Sequence, residues 1–205
     1  MTASLAAPQD LERFLDREWE RLSAAGTWWS GAERVAIAAA ARAARDGDPR
    51  PGGLDDAPVE AAERLSVAAH HVTGPWLDDL EERGLDRLAY VELLGVVSRV
   101  RAVDTALFGL GRPERPLPVP APGEPSGRRV DGAGIDGGLV PTVGRAGPPN
   151  ALSAVDDEDE ALHDLHGAMY LSLEQMRDLH IERGLGRAQM ELVAARTSLL
   201  NDCFF

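Results

Sequence analysis

The chain has 205 residues, one cysteine, no lysine, and a formal net charge of −13 from 34 acidic and 21 basic residues. No basic stripe offsets the acidic balance, which argues against nucleic acid as a partner, and a single thiol excludes an internal disulfide and fits a reducing compartment. The opening MTASLAAPQDLERF lacks a basic n-region followed by an apolar core, and no apolar run approaches the roughly eighteen residues of a membrane span, so the expectation is a soluble, cytoplasmic protein without membrane contact.

Helical periodicity dominates the first half. Leu11, Phe14, Leu15, Trp19 and Leu22 form one stripe between Asp10 and Ala25. Thr27-Trp28-Trp29 interrupts it, and Ser30 with Glu33 makes an S-x-x-E capping box that starts a second helix, Gly31 to about Arg45. Its alanines, with Val35 and Ile37, allow close helix packing. Gly47, Pro49, Pro51, Gly52 and Gly53 end it. A third helix is expected from Pro58 to His71, a short one from Trp76 to Arg83 closed by Gly84, and a long one from Asp86 to Leu107. His70 and His71 are adjacent, and neighbours on a helix point about 100° apart, so the pair is poorly placed to chelate one ion. No metal or cofactor is expected.

Residues 111–150 carry prolines and glycines at a density that excludes regular structure over most of their length. The proline-rich part should be extended and the glycine-rich part flexible. Gly132-Ala133-Gly134-Ile135-Asp136-Gly137 fits G-x-G-x-x-G by letter. It has neither a strand before it nor a helix promptly after it, so a phosphate loop is not expected. Beyond Asn150, Ser153 is a cap candidate and the acidic run Asp156–Glu160 suits a helix N-terminus. Leu162, Leu165, Met169, Leu173, Met176 and Leu179 continue the helical period.

After Gly184-Leu185-Gly186 comes RAQMELVAARTSLLNDCFF, with Met190, Val193, Ala194, Thr197 and Leu200 on one stripe. Glu191 precedes Cys203 by twelve positions, giving E-x11-C. In one straight helix the two would lie roughly 18 Å apart along the axis and could not share a proton. Asn201 and Asp202 are good N-cap types. If one of them caps a new helix, Cys203 enters its first turn, where free N–H groups and the dipole favour a thiolate. The alternative is ordinary: a lone cysteine in an Ala- and Leu-rich helical chain behaves as a small inert core residue.

The segment R-A-Q-x-E-L-V-A-A-R-x-S-x-L-N-x-C-F-F resembles the active-site helix of the alkylhydroperoxidase-D-like (AhpD-like) enzymes of the carboxymuconolactone decarboxylase superfamily, whose motif is E-x11-C-x2-C-x3-H. Glu191 and Cys203 match its first two positions; the second cysteine and the histidine would fall at 206 and 210, beyond the sequence. Gly31–Ala43 can be laid on Ala188–Ser198, and the position matching Cys203 then falls near Arg45-Asp46, where there is no thiol. YVELLGVVSRVRAVDTALFGLG is similar to the helix that follows the redox motif in that family, and the layout is similar to a long, two-repeat subgroup.

The resemblance implies an all-α fold: an AhpD-like repeat without redox cysteines (residues 1–112), a Pro/Gly-rich linker (113–150) and an incomplete redox repeat (151–205). It implies thiol- or selenol-dependent reduction of a hydroperoxide in the complete protein, with Cys203 as one member of the redox pair and Glu191 as the proton-relay carboxylate; the 205 residues, with one thiol, are not expected to turn over by themselves. The implied partners are the hydroperoxide and a dithiol reductant protein or small thiol, and relatives are commonly homo-oligomers. A reading frame that continues through a selenocysteine codon at 206 is a further expectation. The rival expectation is a non-catalytic helical fragment or interaction module. Phe204-Phe205 is expected to expose apolar surface.

Overall fold

The computed structural model describes residues 9–201 and 203; the first eight residues, Asp202 and Phe204-Phe205 lie outside them, and with them the expectations placed on the N-terminal stretch, the Asp202 cap and the phenylalanine pair. The described chain is all-α, with seven α-helices and one minimal two-stranded ribbon. They are α1 (Gln9–Ser23), α2 (Gly31–Asp46), α3 (Asp56–Val67), α4 (Gly74–Glu82), α5 (Arg87–Gly109), α6 (Asp156–Met169) and α7 (Arg187–Leu200). None of them is long and apolar enough to cross a membrane.

Local sequence accounts for most of the boundaries. Ser30 and Glu33 form the expected reciprocal box at the start of α2: the Ser30 side chain accepts from the Glu33 N–H, and the Glu33 carboxylate accepts from the Ser30 N–H at 2.8 Å. Asp86 caps α5 through the Leu88 N–H at 2.8 Å. α5 carries buried residues around most of its circumference, from Leu88 and Tyr90 to Val103 and Leu107, and is the hub of the molecule. α2, α3, α4 and α5 share the main core, built on Ile37, Ala38, Ala61, Leu77, Leu93 and Val97. Small residues let α2 and α3 approach closely enough for Ser66 Oγ to donate to the Ala41 carbonyl at 2.6 Å. Phe14 and Leu15 of α1 meet Val103 and Leu107 of α5 in a second cluster, which Leu165 and Met169 of α6 cover.

Two expected helices are shorter in the structure. α3 ends at Val67, and Ala69–His71 form a separate 3-10 turn with both imidazoles exposed, their ring centroids 4.0 Å apart. α6 stops at Met169 although the apolar period runs on to Leu179. The guanidinium of Arg183 takes up the Gly167 and Tyr170 carbonyls at 2.8 and 2.6 Å, ending the helix where the spacing would have continued it. Ser153 does not cap α6. Its hydroxyl donates to the Asn150 carbonyl and accepts from the Val143 N–H, and Val155 holds the cap position.

The stretch after α5 contains no helix before a 3-10 turn at Pro148–Asn150, but it is tied down. Trp19 Nε1 donates to the Pro116 carbonyl at 2.7 Å, the Ala121 N–H to Ser23 O at 2.8 Å, and the Gly127 N–H to Thr27 O at 2.8 Å. Leu117 and Val140 rest against the main core. The glycine-rich part holds strands β1 (Ala133–Gly134) and β2 (Thr142–Val143), antiparallel with Ala133 opposite Val143.

Candidate functional site

Gly186 is the N-cap of α7, and its N–H donates to Gln189 Oε1 at 2.9 Å. The inward line of this helix is Arg187, Met190, Ala194 and Ser198, and only Met190 is fully buried. The stripe read from the sequence is therefore largely open: Val193 and Leu200 are 56% and 69% exposed, as are their neighbours Leu192 and Leu199 at 71% and 67%.

Glu191 stands on the first turns of α7 with two donors on one oxygen: Tyr170 Oη at 2.7 Å and Arg187 Nε at 2.6 Å. The tyrosine hydrogen bond, with the arginine beside it, holds the Glu191 carboxyl below the usual carboxylate range. Burial, then the bond to Glu191, pushes the Tyr170 phenol up. At neutral pH the pair therefore rests in one state, carboxylate and protonated phenol. Tyr170 also lines an open cleft of about 820 Å³, walled by Leu11, Leu110, Met169, Leu185 and Met190, between α1, the end of α5 and α7.

Cys203 is not part of this arrangement. α7 runs unbroken to Leu200 and Asn201 is its C-cap, so Asn201 closes a helix and does not open one. The Cys203 N–H donates back to the Ser198 carbonyl at 2.9 Å, a 6→1 bond of the kind that closes helix ends. The cysteine is exposed and sits at the carbonyl-rich pole of α7, while Glu191 sits near the amide pole. The nine residue steps from Glu191 to Leu200 alone span about 14 Å. Glu191 is thus joined to Tyr170 and Arg187, which the sequence reading did not single out, and is held apart from Cys203.

The sequence reading also missed the densest charged cluster in the molecule. Glu18, Arg34, Glu92, Arg99 and Glu158 are all at least 96% buried and come from α1, α2, α5 and α6. Glu158 reaches Arg34 Nη1 at 3.0 Å and also pairs with Arg99; Arg34 pairs with Glu92, and Arg99 Nε donates to Glu18 at 2.7 Å. The Trp28 N–H donates to Glu92 at 2.6 Å. Space for these groups depends on glycine: a Cβ on Gly26 would stand 1.9 Å from Glu92 Oε1, and one on Gly95 2.0 Å from Glu158 Oε2. Burial opposes ionisation of Glu158, but Arg99 and Arg34 outweigh it and leave its pKa below the ordinary range. For Glu92 burial wins over Arg34, and its pKa is raised. The signal in the sequence was Glu92 and Arg99, two helical turns apart and flanked by apolar residues in α5. Every carboxylate here is spent on a guanidinium, so the cluster serves as a fastening.

Among the described residues, no three His, Cys, Asp or Glu side chains come together where they could hold a metal ion. No protein-family model, curated protein or solved structure is significantly similar to the chain.

Proposed function

We propose that the chain takes part in thiol-dependent reduction of a hydroperoxide, with Cys203 as the thiol and Glu191 as the carboxylate of its proton relay. The observation that carries this reading is the Tyr170–Glu191–Arg187 arrangement, with Tyr170 on the cleft wall, at the start of the helix that leads to Cys203. It holds the glutamate ionised, the state from which a relay carboxylate accepts a proton. In the chemistry, the Cys203 sulfur attacks one peroxide oxygen, an S–O bond forms as the O–O bond breaks, and the alcohol leaves with a proton. A thiol of the reductant then displaces water from the sulfenic acid to form a mixed disulfide, and its second thiol releases Cys203 as the reductant's own disulfide closes. In this scheme both reducing thiols come from the reductant. Bringing Glu191 into the thiol's proton path requires a rearrangement at the end of α7.

Peroxide consumption with dithiothreitol as reductant tests the proposal. Turnover should vanish in Cys203→Ser and fall in Glu191→Gln. Turnover that persists in Cys203→Ser, or no turnover in the parent chain, would sink it.

A second reading, a helical interaction module, is favoured by a separate observation. Leu192, Val193, Leu199 and Leu200 stand exposed on α7, whose cysteine lies at the opposite pole from its carboxylate. Under that reading the chain consumes no peroxide.

A further inference from the structure

Among the cavities outside the sites described so far, one is lined by two histidines and a methionine. It has about 420 Å³, is walled by Pro148, Pro149, Leu162 and Leu173, and is also lined by His163, His166, Met176 and Arg177. His163 and His166 are one helical turn apart on α6 and so share a face. His163 Nδ1 faces the Asp159 carboxylate at 3.5 Å, while its Nε2 is buried with no hydrogen-bond partner among the described residues. Asp159 lies beside Nδ1 without a hydrogen bond to it, and Nε2 is the ring nitrogen left unspent for a ligand. Met176 faces the cavity from the 3-10 turn Gln175–Arg177, and that turn is fixed before any ligand arrives. Ser172 and Gln175 exchange hydrogen bonds at 3.0 and 3.2 Å, the Met176 N–H donates to Ser172 O at 2.9 Å, and Arg187 Nη1 donates to the Met176 carbonyl at 3.2 Å.

The donor set on the wall of this largely apolar, half-open cavity is two imidazoles and a thioether. Zinc in a structural site takes four donors, and calcium and magnesium take oxygen; this cavity satisfies neither requirement. Soft thioether with imidazole selects monovalent copper, which is content with few ligands and carries the least charge into an apolar wall. Arg177, the one cationic side chain on the wall, is exposed, so its guanidinium reaches water. We infer that His163, His166 and Met176 form a binding site for one Cu(I) ion, with Asp159 beside His163.

The test uses the full chain carrying Cys203→Ser, which removes the only thiol that would compete for copper. Cu(I), kept reduced with ascorbate, is titrated against bicinchoninate, and X-ray absorption reads the scatterers around the bound metal. The expected result is one Cu(I) per chain, held by nitrogen together with one sulfur. Met176→Leu, which preserves volume, should lose the sulfur scatterer and weaken binding by about tenfold or more with the helical circular dichroism unchanged. His163→Gln should weaken it further, and Asp159→Asn less. The inference is overturned if the Cys203→Ser chain yields its copper to bicinchoninate, or if affinity is the same after Met176→Leu. Zn(II) binding as tight as that of Cu(I) and indifferent to Met176 would also overturn it, since that would mark a histidine-pair site for divalent ions.

Discussion

Removing the Glu158 carboxylate should be among the most costly single changes to this fold. Glu158 is 1% exposed and lies between Arg34 and Arg99, each of which keeps one other carboxylate, Glu92 and Glu18 respectively. Deleting one partner of a buried ion pair costs about 3–5 kcal/mol, because the remaining charge stays buried without compensation. Since both arginines keep a partner, Glu158→Ala belongs at the lower end, about 3 kcal/mol. For a chain of this size each kcal/mol lowers Tm by about 2–4 °C, so a drop of roughly 6–12 °C is expected. The neighbour Glu160 is the control: its side chain is 76% exposed and 3.6 Å from Arg21, and Glu160→Ala should change stability by less than about 0.5 kcal/mol. Urea and thermal unfolding followed by circular dichroism at neutral pH measure both. The pH dependence gives an independent reading. The folded-state pKa of Glu158 lies below its unfolded value, so its contribution is fully present above the ordinary carboxylate range and is lost as pH falls through the folded value. The gap between parent and Glu158→Gln should therefore shrink in acid. If Glu158→Ala unfolds together with Glu160→Ala, the cluster does not fasten α6 and the reasoning fails.

Glu92 should behave in the opposite sense. Its folded pKa is raised, so its contribution is greatest below the unfolded carboxyl value and declines as pH rises through the folded one, and Glu92→Gln should cost less than Glu158→Gln in unfolding at pH 7. Tyr170→Phe removes the largest cause of the Glu191 shift, and an NMR titration of the Glu191 side-chain carbonyl should show its pKa move up toward the ordinary range; an unmoved titration would assign the shift to Arg187 alone. Gly95→Ala places a Cβ 2.0 Å from Glu158 Oε2 and 3.1 Å from Arg99, so it should destabilise by about 1–3 kcal/mol, the usual cost of overpacking, in the same urea assay. Trp19→Phe deletes the donor to the Pro116 carbonyl, and limited proteolysis should then cut within residues 113–128 faster than in the parent chain.

The helices of the first half were legible because their signals are local. The Ser30–Glu33 box and the apolar period of α5 act within a few residues and survive in the structure, where Asp86 also caps α5 locally. What could not be read locally depends on groups far away in sequence. The end of α6 is set by Arg183, thirteen residues beyond the Tyr170 carbonyl it holds, and no periodicity announces such a donor. The 111–150 stretch reads as unstructured because proline and glycine forbid helix, yet its carbonyls and amides find partners on Trp19, Ser23 and Thr27, about a hundred positions earlier. The acidic run at the start of α6 suited a helix dipole, which concealed that Glu158 points inward, 124 positions from Arg34. Glu191 was singled out by its spacing to Cys203. Of its actual partners, Arg187 is a local one, four residues earlier on α7, whereas Tyr170 follows from the fold that returns α6 to the start of α7.

The ion cluster and the Glu191 site share a helix, and that separates their roles. Glu158 lies in the first turn of α6 and Tyr170 caps its end, about 18 Å away at 1.5 Å per residue. The buried end costs solvation and is fully compensated by guanidinium, so it contributes position and no reactivity. The far end offers a phenol to a carboxylate that remains in solvent, where a proton can exchange with water. The two ends should then respond independently to mutation. Loss of Tyr170 Oη alters Glu191 and leaves Tm nearly unchanged, because an exposed hydrogen bond contributes little to stability. Loss of Glu158 lowers Tm and disturbs Glu191 only as far as α6 shifts. A Tyr170→Phe variant that unfolds as readily as Glu158→Ala would mean that the phenol is structural, and Glu191 would lose its claim to a role in proton transfer.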